Sequence, residues 1–134
     1  MGVKDKKIGL VLAGGGGRGA YQIGVWKALR ETGLEGYITA VAGSSVGGLN
    51  AALFTQGGLD KAEEIWRSIS PEIILTSKFK SEDGFKRMSL FERDGLRKII
   101  ADGLDMRCFD PDENNCNCWL TCARVDRRTG KWRL

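Results

Sequence analysis

The stretch Lys7-Ile8-Gly9-Leu10-Val11-Leu12-Ala13, followed at once by Gly14-Gly15-Gly16-Gly17-Arg18-Gly19, decides how this chain folds. Lys7–Ala13 is an almost unbroken apolar run, which is how a strand buried in a parallel sheet reads. The glycines form a loop, and Ala20–Thr32 reads as a helix with Ile23, Trp26 or Val25, and Leu29 on one face and Gly33 as its stop. Tyr37–Ala42 is a second strand. Val46–Gln56 is a second helix, closed by Gly57-Gly58. Strand, loop, helix, strand, turn and helix in that order predict an α/β fold that begins with parallel strands.

The remainder is less regular. Leu59–Ser70 has an apolar face of Leu59, Ala62, Ile65, Trp66 and Ile69, and Pro71 ends it. Ile73–Lys86 reads as a surface loop. Ser89-Leu90-Phe91-Glu92 matches a capping box before a helix carrying Leu96, Ile99 and Ile100. Asp105–Asn117 reads as loop, Trp119–Val125 as a third strand, and Arg127-Arg128-Thr129-Gly130 as a hairpin turn into Lys131–Leu134. The 134 residues make one small domain, residues 1–134. Because the sequence stops in mid-hairpin, the expectation is a domain incomplete at its C-terminal end.

Composition narrows the chemistry. There is no His, so neither a Ser-His-Asp triad nor a His-ligated metal can be built from this chain. The net charge of +4 is too small to argue for nucleic acid. Cys108, Cys116, Cys118 and Cys122 lack the C-x2-C spacing of a zinc site. The last three share strand parity, and all four read as free buried thiols; no metal or cofactor is expected. Met1–Lys7 is charged and Ile8–Ala13 is too short for a signal-peptide core, so the expected location is cytoplasmic. Trp26, Trp66, Trp119 and Trp132 read as core. The basic residues Lys78, Lys80, Lys86, Arg87, Arg124, Arg127, Arg128, Lys131 and Arg133 read as solvated surface, with peripheral contact to an anionic membrane surface as the alternative.

Glycine is the informative residue, at 19 positions, about twice its usual share. The loop Gly14–Gly19 permits left-handed backbone angles and close approach of peptide N–H groups to an anion or oxyanion. Gly14-x-Gly16-x-x-Gly19 also fits the dinucleotide fingerprint. Against that reading, the end of the second strand offers Ala42-Gly43-Ser44-Ser45 where a ribose-binding carboxylate belongs. A P-loop would need Lys-Ser/Thr where Ala20-Tyr21 stands.

Gly43-Ser44-Ser45-Val46-Gly47 fits G-x-S-x-G, a nucleophile elbow between strand and helix with Ser45 at its centre. The competing reading is Ser45 as an ordinary helix N-cap. Adjacent parallel strands, about 4.8 Å apart, would bring Ser45 and the glycine loop to the same sheet edge. An attacking hydroxyl beside peptide donors, with the Val46 N–H as a further donor, is the arrangement acyl transfer needs.

The combination of Gly14–Gly19 with Arg18, Gly24-Val25-Trp26-Lys27-Ala28-Leu29, and Gly43-Ser44-Ser45-Val46-Gly47-Gly48 resembles the patatin-like phospholipase family. The resemblance is specific over residues 7–58, and Leu120–Lys131 looks like the family's next core strand and turn. It implies a three-layer α/β/α core with a parallel sheet, and a lipid acyl hydrolase acting on phospholipid or another acyl ester through a Ser–Asp dyad. On the matching positions it implies Ser45 as nucleophile, Gly15, Gly16 and Gly17 as oxyanion donors, and Arg18 as a loop-ordering or anion-facing cation. The family's base is the Asp of Asp-Gly-Ala/Gly. Asp83-Gly84-Phe85, Asp94-Gly95-Leu96 and Asp102-Gly103-Leu104 all lack that third residue and read as ordinary loop and helix-end positions. The expectation is that the base lies beyond Leu134 and that these 134 residues alone turn over little ester. A non-catalytic lipid- or partner-binding remnant and a dinucleotide-binding domain are the alternatives.

Overall fold

The computed structural model describes residues 6–69, 100–110, 116–122, 124–126 and 128–133. Its core is a three-stranded parallel sheet in the order β1 (Ile8–Leu12), β2 (Ile38–Ser44), β3 (Asn117–Thr121). Helix α1 (Ala20–Glu31) links β1 to β2, and α2 (Val46–Thr55) and α3 (Leu59–Ser68) follow β2. β4 (Arg124–Val125) and β5 (Trp132–Arg133) form the expected antiparallel hairpin. The α/β reading is thus borne out. The described residues supply the sheet and one helical layer: Leu12, Ile38 and Val41 share a single cluster with Ile23 and Trp26 of α1, Leu53 and Phe54 of α2, and Ala62 and Ile65 of α3.

Element boundaries shifted where tertiary pairing overrode local pattern. β2 runs on to Ser44, two residues past the apolar stretch, because Gly43 and Ser44 pair with Leu120 and Thr121. The third strand begins at Asn117 rather than Trp119 and breaks after Thr121, so Val125 belongs to the hairpin. The polar segment expected as loop holds a 3₁₀ turn, Met106–Phe109. Pro71, Ile73–Lys86 and the capping box at Ser89 lie outside the described residues, as does most of the helix expected around Leu96; its last turn, 100–103, is helical.

Two side-chain expectations are corrected by the register. Val11, Ala42 and Trp119 align across the three strands on the face opposite the helices, and Trp119 is 66% exposed there rather than in the core. Cys116 and Cys118 face the helices but are only half-buried, and Cys122, one residue past β3, is exposed. Burial pushes the Cys116 thiol up.

A cation-aromatic clamp fixes the α1–β2 connection. Trp26 packs on Phe54 with ring centroids 4.9 Å apart and donates through Nε1 to Glu35 Oε1 at 2.6 Å. Arg30 donates to both Glu35 oxygens and lies over the Trp26 ring. The Arg30 hydrogen bond holds the Glu35 carboxyl below its ordinary value. A depressed folded-state value contributes stability above the unfolded value, about 4.3, and loses it as pH falls through the folded value. Glu35→Gln is therefore expected to flatten the dependence of Tm on pH below about 4.5. An acid limb identical to that of the unsubstituted chain would contradict this.

Candidate active site

Ser45 terminates β2 and precedes α2, and its backbone is the exception among the described residues. It is the one non-glycine described residue at positive φ, with φ 54° and ψ −127°. A side chain there costs about 1–3 kcal/mol, so the surroundings must hold it. Two glycines do so. A Cβ on Gly43 would collide with the Gly47 carbonyl oxygen, and a Cβ on Gly47 would collide with the carbonyl oxygen of Leu12 and approach that of Ala13 to 2.6 Å. The first turn of α2 is thus pressed against both its own strand and the end of β1. That contact leaves room only for the sharp bend that raises Ser45.

Ser45 occupies the N-cap position of α2, yet its hydroxyl makes no capping hydrogen bond. The backbone alone closes the turn: the Ser45 carbonyl accepts from the Gly48 and Leu49 amides at 2.9 and 3.3 Å. Ordinary N-caps have extended backbone and spend their side-chain oxygen on the helix. The Ser45 side chain does neither, and the residue is solvent-exposed.

The glycine loop comes to the same place. A Cβ on Gly14 would meet Ser45 Cβ at 3.2 Å and the Ser44 carbonyl oxygen at the same distance, so the loop starts directly against the serine turn. Gly16 has φ +57°. Gly16–Gly19 then form a 3₁₀ turn that runs into α1, closed by Arg18 N–H donating to Gly15 O at 3.2 Å. Gly15 and Gly17 are exposed, and so is Arg18. Gly19 is buried with its α-carbon facing Val46 and Trp66 so closely that a Cβ would lie 2.8 Å from a Val46 methyl. Val46, the first residue of α2, is buried on that contact. The structure therefore brings Gly14, Gly19, Gly43, Ser45, Val46 and Gly47 into one packed junction, with Gly15, Gly17 and Arg18 as its exposed rim and Gly16 half-buried among them.

Among the described residues, the carboxylates of the later segments lie elsewhere. Gln56, at the far end of α2, donates to Gly103 O at 2.8 Å and accepts from Asp105 N–H at 3.1 Å. Asp102 and Asp105 are thus separated from Ser45 by a ten-residue helix, about 15 Å at 1.5 Å per residue. Asp102-Gly103 is the helix-end pair that its sequence suggested; Asp83-Gly84 and Asp94-Gly95 lie outside the described residues. Asp126 is committed to its own hairpin, accepting from the Arg128 and Thr129 amides, which hold its carboxyl below the usual range. Two open clefts, one at Gln56, Asp102 and Arg107 and one at Thr55, Asp110 and Cys116, also lie at that far end of α2.

One group of residues escaped the sequence reading. Gln22 and Asn50 are 3% and 1% exposed and hydrogen-bonded to one another beneath the glycine loop. A lone amide in the otherwise small and apolar run Val46–Phe54 was the available signal.

The family model for patatin-like phospholipase matches residues 10–133. The chain belongs to the patatin-like phospholipase family. A lysophospholipase, nte1, from Aspergillus terreus is 47% identical over 51 residues, which is 38% of this chain and 3% of that protein. A patatin-like phospholipase domain-containing protein, ZK370.4, from Caenorhabditis elegans is 49% identical over 49 residues, 37% of this chain and 4% of that protein. An uncharacterized NTE family protein from Mycobacterium bovis is 36% identical over 74 residues, 55% of this chain and 20% of that protein. This patatin-like chain thus matches only a small part of each relative's length. No solved structure matches it. The matched family is a phospholipase family, which supports the acyl-hydrolase reading over the dinucleotide-binding alternative.

Proposed function

We propose that this chain carries the nucleophile and oxyanion cradle of a serine-dependent lipid acyl hydrolase. Ser45 Oγ attacks the carbonyl carbon of an acyl ester as its proton passes to a carboxylate base. The N–H groups of Gly15, Gly16, Gly17 and Val46 stabilise the tetrahedral oxyanion. The carbon–oxygen ester bond breaks, the alcohol leaves with a proton, and water then hydrolyses the acyl-serine to release the fatty acid. Arg18 orders the glycine loop or faces the substrate's anionic part. The substrate class is phospholipid or a related acyl-ester lipid, met by peripheral contact with a cytoplasmic membrane surface. None of the described helices is long and apolar enough to cross a membrane.

The observation that carries this reading is the Ser45 turn: positive φ, and a hydroxyl exposed and unspent on the helix it precedes. The relatives named as lysophospholipase and patatin-like phospholipase support the lipid class. A non-catalytic lipid-binding remnant is favoured by one observation, that no described carboxylate is placed against Ser45.

Fluorophosphonate labelling tests the reading. With no carboxylate placed against Ser45 among the described residues, attack is expected to depend on the small alkoxide fraction, so that Ser45 labelling is slow and rises about tenfold per pH unit between pH 7 and 9. Ser45→Ala should abolish it, and turnover of p-nitrophenyl esters should stay near background. Labelling that survives Ser45→Ala, or no labelling at pH 9, sinks the nucleophile assignment. A rate that levels off above about pH 6 would mean that a carboxylate of this chain acts as base.

A further inference from the structure

From a buried hydrogen-bond chain we infer that Gln22 and Asn50 are positioning residues, locking both ends of the glycine loop to the helix that carries Ser45. The inference rests on the acyl-hydrolase reading above and adds residues that never touch the reacting atoms. Asn50 Nδ2 donates to Gly19 O at 3.0 Å and to Gln22 Oε1 at 2.7 Å. Gln22 Nε2 donates to Ala13 O at 2.8 Å. Trp66 Nε1 donates to Asn50 Oδ1 at 2.8 Å. Ala13 and Gly19 bracket the loop, so two side-chain amides hold the carbonyl on either side of it.

The orientation of each amide follows from chemistry. Indole N–H only donates, so it must face Asn50 Oδ1. Asn50 Nδ2 must then supply both remaining contacts. The Gln22 atom that receives one of them must be Oε1, which turns Gln22 Nε2 toward Ala13. No flipped arrangement satisfies every partner, and among the described residues no buried side-chain nitrogen or oxygen lacks one. The chain thus joins α3, α2 and α1 to the end of β1. Asn50 sits on α2, five residues after Ser45, so any drift of the glycine loop relative to Ser45 must break a buried hydrogen bond. Leaving such a group unpaired is costly, which makes the lock stiff. Glycine has no side chain to hold its own loop, so position must be imposed from beneath.

The test is Asn50→Asp in the 134-residue chain. The aspartate can still accept from Trp66 but cannot donate to Gly19 O or Gln22 Oε1. The readouts are the Ser45 fluorophosphonate labelling rate at pH 9 and the ¹⁵N–¹H resonances of Gly14–Gly17, with Tm measured alongside. Labelling is expected to fall 10- to 100-fold, because small misplacement of reacting groups costs rates of that order, and the four glycine resonances should shift or broaden. Trp66→Phe removes the Nε1 donor that fixes the Asn50 amide together with part of the ring that packs beside Gly19; it stands in if Asn50→Asp does not fold, with an expected fall of about fivefold. Labelling within twofold of the unsubstituted chain in either folded variant overturns the inference. If the unsubstituted chain is not labelled at all, the acyl-hydrolase reading is what has failed. The resonances then decide this one: unmoved glycine amides overturn the lock, and displaced ones support it.

Discussion

Gly47→Ala is expected to destabilise the chain by about 3–5 kcal/mol, a large share of the 5–15 kcal/mol typical of a domain. The added methyl would meet the carbonyl oxygens of Leu12 and Ala13, which are backbone and cannot rotate away. Relief requires moving α2 off the end of β1, which strains the strand pairing on both sides. Gly43→Ala presses on the same junction from the β2 side, against Gly47 and Gly48 backbone atoms. The two share one contact, so the double variant should cost less than the sum of the singles. Gly24→Ala provides the contrast: nothing lies within 4 Å of a Cβ there, mid-helix in α1, and the change should stabilise by about 0.5–1 kcal/mol. Denaturant unfolding of the four variants checks this. A Gly47→Ala cost below about 1 kcal/mol would mean that the close approach of β1 and α2 is not what shapes the turn.

Ser45→Gly is expected to do the opposite to stability while abolishing labelling. Glycine accepts φ 54° at no steric cost, and it loses only the hydroxyl that makes no capping bond. The strain relieved, about 1–3 kcal/mol, exceeds the extra unfolded-state entropy of glycine, about 0.5–1 kcal/mol. A net gain of about 1 kcal/mol raises Tm by roughly 3–6 °C in a domain this size. Ser45→Ala keeps the strain and should leave Tm almost unchanged. A Ser45→Gly variant less stable than Ser45→Ala would show that the hydroxyl supports the fold after all.

The parts of the fold that were legible from the residues are those where local pattern and tertiary role agree. Ile8, Leu10 and Leu12 are apolar because a helical layer covers them, although Val11 between them lies on the open face instead of being buried as the continuous apolar run suggests; Gly33 and Gly57 end their helices at φ +72° and +75° as helix-stop glycines do. The serine turn was legible because three small residues around one hydroxyl in a strand-to-helix junction have few other uses. Trp119 misled because aromatic residues are usually covered, and only the register with Val11 and Ala42 shows that it sits on the face away from the helices. The Gln22–Asn50 pair was hard to foresee because its partners are two main-chain carbonyls and an indole, from the end of β1, the glycine loop and α3. No spacing along the chain announces such a meeting.

β1 and β2 lie side by side and are joined by α1 alone, whereas β3 reaches β2 only after 72 intervening residues, 45–116. Ser45, the glycine loop and both amides beneath it therefore fall within residues 13–50. Synthesis proceeds from the amino terminus, and domains are delivered to folding in that order. A ribosome making this protein has synthesised every partner of that junction, Trp66 included, before it begins β3.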